Sequence, residues 1–552
     1  MIAGIDSAQP ASEAPFKLVG VMPAAAAKER ERLLGSLEQV LPVRFQAREP
    51  GDVAGLDGLL MLASPDRQEP ATSCARLIAV PRQRGASPWK DCTVQFTGEP
   101  HVPRPLRRLR LHEDDGAADM PAEPVGDAVI LATVEGRPVW WRRGEGKALV
   151  HLSAFSPEEL DEVEGLRDHL RLGRCMGLVV LLQFLREVCG ELDWDEQPLR
   201  ASFVIDDPNL HWPSYGYLGY SEMIAQASRH GYHVALAMVP LDGWLADRRA
   251  VALVRKNPAA ISLVVHGNNH VAQELGRLLD DSDAETVLAH ALRRVASFER
   301  RSGVMVERVM VPPHEVCSTF ALKAMSKLGF DGACISRRNP WHDQLPLPSL
   351  RRWRLLKWHP ADPVEGLPII PRYPFIFPWE ELALRAFLRQ PLILFGHHWD
   401  FSSGLDMLTQ AADFINGLGD VRWGSVGEIA CRNFLTRQAG DTLAVQMHCR
   451  HATIEIPPDV TAIEVRVPSI CDEPIRRLDY GAGRIEMAHD RGGEWTSGAL
   501  GVAPGARLAL ELMPEAPLDP TRVIARHSTP WPLMRRALVE GRDRMRPLTH
   551  RA

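Results

Sequence analysis

The pattern of apolar and polar positions divides the chain into segments that differ in their periodicity. Short apolar runs alternate with helix-periodic stretches over residues 16–195 and again over 199–436, and shorter alternating segments follow over 438–516. Alternation of strand and helix is typical of α/β domains, whereas short strands separated by Gly, Pro and Asp favour a small sandwich. We therefore predict two α/β domains and a C-terminal antiparallel β-sandwich, with a disordered lead-in at 1–15 and a basic tail at 517–552.

The first α/β segment reads as a flavodoxin-like or amidotransferase-like layer with a parallel sheet. A loop is predicted over 100–127 and a long closing helix over 157–189. Neither a glycine-rich phosphate loop nor a nucleophile elbow occurs in it, so no activity is predicted for it. Its strands are predicted at 16–22, 43–45, 59–63, 77–80, 128–133 and 148–152.

The second segment contains seven apolar runs of strand length, most of them separated by helical stretches. About seven β/α units in this length predict a distorted (β/α)7-8 barrel. The stretch 337–376 is rich in Pro, Trp and Arg, and we expect it to be a long loop over a site. The predicted strands are 201–205, 233–239, 261–265, 308–311, 332–335, 391–395 and 421–425.

Composition narrows the classes of partner. The net charge of −6 is small for 552 residues, which argues against nucleic acid or an anionic membrane as the main partner. Nine scattered cysteines without a CxxC pair are typical of a reducing compartment. We see neither a signal peptide nor an apolar run long enough for a transmembrane segment, and a cytoplasmic location is the expectation.

Polar clusters follow four of the predicted barrel strands. They are Asp206-Asp207, the histidines of His266-Gly-Asn-Asn-His270, the stretch Pro312-Pro313-His314-Glu315, and His397-His398-Trp399-Asp400. In a β/α barrel the carboxyl ends of all strands meet at one rim, where catalytic residues are found. We therefore expect the four clusters to form one site.

Each cluster also has a plain structural interpretation when taken alone. An Asp pair is often a turn or a helix cap, and the stretch around Pro313 is a rigid turn. The spacing of His266 and His270 fits one face of a helical turn, but Gly-Asn-Asn also fits a tight turn. Together, the clusters supply what hydrolysis of an amide requires: ligands for a metal, a free carboxylate as base and an imidazole as acid.

The order of these motifs resembles that of NodB-like polysaccharide deacetylases, over about residues 200–435. The resemblance implies a carbohydrate deacetylase that removes N-acetyl groups from an amino-sugar glycan. It implies that Asp206 is the general base and that Asp207, His266 and His270 bind Zn²⁺ or another divalent transition metal. His397 would be the general acid, with His398 as the competing assignment. The residues expected near the substrate are Pro313, His314, Glu315 and Trp399.

Two features depart from the family pattern. The usual Asp-Asp-Gly is Asp206-Asp207-Pro208 here, and the stretch MVPPHEV lacks the arginine that normally orients the base. Either His314 or Glu315 acts in its place, or the base is tuned differently. A non-catalytic carbohydrate-binding or scaffold protein with a degenerate barrel is therefore the alternative. A third possibility is a glycosidase or esterase barrel, in which Glu315 would be the residue of interest.

Aromatic residues and the tail add two further expectations. Aromatic rings stack on sugars, and such rings lie in or beside the predicted rim loops at Trp212, Tyr215, Trp341, Tyr373 and Trp399. Residues 531–544 fit a basic amphipathic helix, which we expect to pack on the surface with a solvated face rather than to bind a membrane or a partner.

Overall fold

The computed structural model describes most of the chain. The described residues are 16–62, 74–80, 91–114, 124, 126–162, 165–278, 280–336, 358–468, 476–489, 494–514, 516–524 and 530–549. The predicted lead-in at 1–15 and Trp341 lie outside these residues.

The N-terminal part forms a nine-stranded sheet in the order β2-β1-β3-β4-β9-β8-β7-β5-β6. Strands β2, β1, β3, β4 and β9 are parallel, and the remaining pairs are antiparallel. The parallel arrangement that the sequence predicted is thus found in only about half of the observed sheet. The elements are β1 (Lys17–Met22), α1 (Ala24–Glu29), α2 (Glu31–Leu37), β2 (Val43–Ala47), β3 (Gly58–Met61), β4 (Ala75–Ala79), β5 (Cys92–Phe96), β6 (Arg110–Glu113), β7 (Val129–Val134), β8 (Arg137–Arg143), β9 (Val150–Ser153) and α3 (Met176–Cys189).

The closing helix of this part is shorter than predicted. Helix α3 begins only at Met176, because the chain before it forms a 3-10 turn at Leu166–His169 and two bridged residues, Arg171 and Arg174. Nine of its fourteen residues are buried. One apolar core extends from this helix and the first sheet into the outer layer of the second sheet, so the two α/β parts share their packing.

The middle part carries a ten-stranded sheet, and all seven predicted strands are present in it within a few residues. Consecutive β/α units place the carboxyl ends of its parallel strands at one edge. The elements are β10 (Leu199–Asp206), β11 (Ser214–Tyr215), β12 (Leu218–Gly219), α4 (Tyr220–His230), β13 (Val234–Met238), α5 (Arg248–Lys256), β14 (Ile261–Val265), α6 (Asp281–Ser302), β15 (Glu307–Met310), α7 (Thr319–Lys327), β16 (Gly332–Ile335), β17 (Asp362–Val364), β18 (Leu367–Pro371), β19 (Tyr373–Pro374), α8 (Trp379–Phe387), β20 (Leu392–His397), α9 (Asp406–Gly417), β21 (Val421–Trp423) and α10 (Val426–Cys431).

The middle sheet is not the closed barrel that the sequence predicted. Its order is β17-β18-β16-β15-β14-β13-β10-β20-β19, with β21 on β10, and this ladder has two ends. Both ends belong to one segment, because β18 pairs with β16, β19 pairs with β20, and only Arg372 separates β18 from β19. The stretch predicted as a loop over 337–376 therefore contains three strands, while residues 337–357 lie outside the described part.

The interior of the curved sheet is small and apolar. Val204, Ala237, Val264, Ile370 and Ile393 belong to one buried cluster that fills it. Side chains alternate between the two faces of a strand, so residues two positions beyond these also point inward. Asp206 stands two positions after Val204 and thereby enters the site from the interior face.

The C-terminal part consists of two sheets around a separate apolar core. Five strands have the order β22-β23-β25-β29-β28 and four have the order β24-β30-β26-β27. All pairs are antiparallel except β23 with β25, which is a departure from the predicted antiparallel sandwich. The elements are β22 (Phe434–Ala439), β23 (Thr442–Met447), β24 (His451–Glu455), β25 (Ala462–Pro468), β26 (Arg477–Asp479), β27 (Arg484–Glu486), β28 (Ala488–His489), β29 (Glu494–Gly501), β30 (Arg507–Met513) and the terminal helix α11 (Trp531–Thr549). No helix in the described ranges is long and apolar enough to cross a membrane.

Candidate active site

Three of the expected site residues converge at the rim of the middle sheet. Asp207, His266 and His270 each present one ligand atom, and these atoms lie within 4.8 Å of one another. Nε2 of His270 lies 2.8 Å from Oδ1 of Asp207, and Nε2 of His266 lies 3.4 Å from the same oxygen. The end of β10 and the loop after β14 are therefore brought to one point, although about sixty residues of sequence separate them.

The hydrogen bonds of His266 show which of its nitrogens faces the site. Nδ1 lies 2.8 Å from the carbonyl oxygen of Val311, which can only accept, so Nδ1 carries a proton. With Nδ1 protonated, Nε2 faces Asp207; it either carries the lone pair that a cation can take or, in the protonated imidazole, donates to Asp207. A backbone carbonyl on the far nitrogen is a usual way to orient a metal-binding histidine.

The charges of this cluster are strongly coupled. Burial raises the pKa of Asp207, but His270 and His266 outweigh that effect and hold it well below its usual range. Burial lowers the pKa of His266, but hydrogen bonding to Asp207 and the charge of Asp206 raise it overall. One carboxylate and two imidazoles aimed at one point need added protons or a cation between them. The donor set, one carboxylate oxygen and two imidazole nitrogens, fits a catalytic zinc site with open positions.

The local backbone explains how the loop after β14 presents both histidines. Residues 266–270 are not helical and bend at Asn268 and Asn269, so the two histidines do not lie on one face of a helical turn. The Glu274 carboxylate accepts the backbone N–H groups of Asn268, Asn269 and His270. His270 has a φ of 56°, and Asp207 has a φ of 77°. Non-glycine residues in this left-handed region cost free energy and are concentrated at functional sites.

Asp206 is held by an arginine that the sequence did not assign to the site. Nη1 and Nη2 of Arg372 donate to the two carboxylate oxygens of Asp206 at 2.8 and 2.9 Å. Arg372 is 1% exposed and its guanidinium lies 3.8 Å from the centre of the Phe395 ring. It also donates to Glu315, whose other oxygen accepts the N–H of Ser336. The arginine that contacts Asp206 thus comes from the break between β18 and β19 and not from the stretch MVPPHEV.

This arrangement corrects the expectation that His314 or Glu315 substitutes for the arginine. Glu315 contacts Arg372 and not Asp206, and His314 is exposed with a φ of 59°. The His314 ring lies 5.4 Å from the His270 ring. Pro313 is buried, and a Cβ placed on Gly267 would lie 2.6 Å from its Cγ. Pro313 therefore packs against the loop after β14 at Gly267, whereas the exposed His314 faces the open side of the site.

The two adjacent histidines at the end of β20 point to different surroundings. His397 is the register partner of Asp206 on the neighbouring parallel strand, so their side chains share the interior face. Its ring stacks on Trp399 with centroids 4.2 Å apart. Burial lowers the pKa of His397, although Asp206 and Asp207 oppose that shift. His398 is fully buried on the other side, 3.6 Å from Asp543 and between the rings of Tyr215 and Tyr217.

The aromatic residues divide into exposed and buried ones. Trp212 is 57% exposed and Trp399 is 40% exposed, so both can meet a ligand. Tyr215 and Tyr373 are buried, and their hydroxyl groups donate to Asp543 and Gln390. The last two are therefore anchors of the rim and not stacking surfaces.

Comparisons with known proteins found only distant similarity, to solved structures. No model of a known protein family matches the sequence, and no curated protein matches it. The chain is similar to a solved candidate polysaccharide deacetylase from Mycobacterium smegmatis, with 15% identity over 43% of this chain and 91% of that one and a TM-score of 0.31. It is also similar to a family 4 carbohydrate esterase from Streptomyces lividans (11% identity, 41% of this chain, 92% of that one, TM-score 0.24). The peptidoglycan deacetylase PdaC from Bacillus subtilis gives 10% identity, 43% and 91% coverage and a TM-score of 0.23. Similarity at this distance carries no functional inference, which must come from the side chains.

Proposed function

We propose that the chain is a metal-dependent hydrolase that removes N-acetyl groups from an amino-sugar glycan. The convergence of Asp207, His266 and His270 beside a second, arginine-bound carboxylate is the observation that carries this proposal. The set combines ligands for one divalent cation with a separate base, Asp206, and a separate acid, His397. Such a division of roles is what hydrolysis of an unactivated amide requires.

Asp207, His266 and His270 would hold the metal, and Zn²⁺ suits one carboxylate and two imidazoles. When bound, the ion would polarise the amide carbonyl and lower the pKa of a water molecule. Asp207 can serve as a ligand because its partners differ from those of Asp206: Arg372 binds Asp206, whereas Asp207 faces the two histidines. Adjacent acids on one strand end thereby take two different positions.

Asp206 is proposed to accept the proton of the attacking water. Arg372 binds both of its oxygens, which fixes the plane of the carboxylate and leaves each oxygen a further lone pair. Glu315 in turn contacts Arg372 and offsets part of its charge. The carboxylate is thus oriented in advance of the reaction, and misplacing it by about 1 Å would be expected to cost about 10²-fold in rate.

His397 is proposed to protonate the leaving amine. It lies on the same face as Asp206, and its ring is held parallel to Trp399. His398 is excluded from this role in the proposal because it is buried against Asp543 and two tyrosines. Trp399 is exposed beside the acid and would stack on the sugar ring that carries the acetamide.

The structure weakens the two alternatives. A degenerate barrel was motivated by the arginine missing from MVPPHEV, and the contact of Arg372 with Asp206 removes that motive. A glycosidase that uses Glu315 would need this carboxylate free to face a glycosidic bond. Glu315 instead contacts Arg372 and the backbone of Ser336.

The test is acetate release from N-acetylated glucosamine oligomers by the full chain, before and after dialysis against a chelator. We expect activity to disappear on chelation and to return with Zn²⁺ or another divalent transition metal. His266→Ala should abolish it, whereas His489→Ala, at an exposed position in the C-terminal sheets, should not. Acetate release that survives chelation or His266→Ala would refute the proposal.

A further inference from the structure

The terminal helix α11 lies across the rim and contacts three of the loops that build the site. Its sequence predicted a helix on the surface with a solvated face, with no link to the site. The structure instead gives it five polar side chains directed at the rim: Arg535, Arg536, Glu540, Asp543 and Arg544. Arg536 and Asp543 are among the buried charged residues of the chain.

Arg536 connects α11 to the loop after β10. Its Nε lies 2.8 Å from Oδ2 of the buried Asp242, and its Nη2 donates to the carbonyl oxygen of Asp207. Its Nη1 lies 3.9 Å from Oδ1 of Asp207, the atom that faces the two histidines. One planar guanidinium, fixed by Asp242, therefore holds the backbone of a candidate metal ligand whose φ is positive.

Arg535, the neighbouring residue, connects α11 to the loop after β14. It donates to the carbonyl oxygen of His270, the second candidate ligand with a positive φ. Asp543 accepts from Tyr215 of β11 at 3.1 Å, and it lies 3.6 Å from Nε2 of His398, the first residue after β20. The segments that follow β10, β14 and β20, which carry Asp207, His270 and His398, are thus tied to one helix.

The exposed face of α11 shows that this docking is not ordinary helix packing. Trp531, Met534, Leu538 and Met545 are between 57% and 70% exposed. A helix that packs for stability buries its apolar stripe and leaves its charges in water. Helix α11 instead exposes these apolar side chains and directs charged ones at the rim. Its contacts there are ion pairs and hydrogen bonds to particular carbonyl and carboxylate groups.

We propose that α11 is a component of the metal centre and that Arg536 and Arg535 are positioning residues for Asp207 and His270. The two arginines hold these ligands in left-handed backbone conformations that a free loop would populate rarely. This inference rests on the proposed metal site for its functional consequence. Its structural content, that the helix orders both loops, holds for the metal-free chain as well.

The test compares full-length variants by two measurements. The first is the affinity for Zn²⁺ by competition with a coloured chelator, and the second is amide hydrogen exchange of residues 206–211 and 266–271 in metal-free protein. Loss of a residue that orients a ligand lowers metal affinity by about 10–100-fold. We expect Arg536→Gln and Arg535→Gln to do so and to speed exchange in their respective loops. Arg536→Lys, which keeps the charge but not the planar fork, should restore part of both.

Arg522→Gln is the matched control, because Arg522 is a side chain 87% exposed that pairs only with Asp519 among the described contacts. Arg536→Gln could fail to fold because the buried Asp242 loses its partner. In that case the measurements on Arg535→Gln test the proposal, since that substitution leaves no buried acid without a partner. Unchanged Zn²⁺ affinity in Arg535→Gln and in Arg536→Lys would overturn the proposal. If the wild-type chain binds no Zn²⁺, the proposed function fails separately. Faster exchange in the variants would then still support ordering of the loops by α11, and unchanged exchange would refute it.

Discussion

The pair formed by Arg372 and Asp206 gives the sharpest prediction about the site. Arg372→Gln removes the only cation that binds Asp206 among the described contacts and also takes a partner from Glu315. The side chains of Arg372 and Asp206 are 1% and 5% exposed, so water cannot replace the lost bonds. Breaking one side of a buried ion pair costs about 3–5 kcal/mol, and we expect a loss of stability in that range.

A matched pair elsewhere in the chain provides the control. Arg389 binds Asp193 with the same two-pronged geometry at 3.2 and 2.9 Å, but the side chains are 22% and 14% exposed. Arg389→Gln should therefore cost only about 1 kcal/mol. Denaturation in urea, followed by intrinsic fluorescence, measures both losses, and acetate release measures the effect on rate. Equal destabilisation by the two variants, or full activity in Arg372→Gln, would refute the reasoning.

Two further predictions concern the rim. Burial lowers the pKa of His211, but Glu540 raises it above 6.5 overall. Burial raises the pKa of Glu540, but His211 and Arg544 together lower it from 4.5 to about 2. The His211 contribution to stability is present below pH 6.5 and lost as the pH rises through its raised pKa, and that of Glu540 is present above pH 4.5. Glu540→Gln should therefore destabilise most between pH 4.5 and 6.5 and less at higher pH, where neutral His211 no longer holds Glu540 but Arg544 still does. A loss independent of pH in thermal unfolding would contradict this. Gly216→Ala should destabilise the protein by about 1–3 kcal/mol more than Gly231→Ala. Both glycines have a positive φ, but only a Cβ on residue 216 would lie 2.1 Å from Nδ1 of His398. Equal unfolding midpoints of the two variants would contradict this prediction.

The parts of the site that follow strong apolar strands could be predicted from the sequence. Asp206, His266 and His397 each come at or directly after such a strand, and parallel strands bring those positions to one rim. The local pattern carries this information because strand ends and side-chain alternation depend on neighbouring residues alone. The proposed choice of His397 over His398 rests on the register of β20 with β10, which the sequence does not contain.

Arg372 could not be assigned because its strand is broken and rich in proline. Pro368, Pro371 and Pro374 interrupt the apolar run, which therefore resembled a loop. The available signal was the buried run LPIIP followed by a polar residue, the same pattern that marks the other rim positions. The two ends of the sheet meet at this segment. Because the segment was not predicted to be a strand, Arg372 at its end was not predicted to lie at the rim.

The contacts of α11 depend on tertiary structure that a local pattern does not contain. Arg536 and Asp207 are separated by more than three hundred residues, and the amphipathic pattern of the helix predicts that its apolar side is buried. The mixed N-terminal sheet was missed for a related reason, since the direction of β5 to β8 depends on pairing rather than on composition. A cytoplasmic location stays a prediction from the sequence.

The location of a bound metal tests the central claim most directly. Crystals of the full chain grown with Zn²⁺ and measured at the zinc absorption edge would give its position independently of any activity. We predict one strong anomalous peak at about 2.0–2.2 Å from Asp207 Oδ1 and from Nε2 of His266 and His270. A peak only at the exposed cluster of Asp91, His112 and Asp114, or no peak at the three rim residues, would contradict the account.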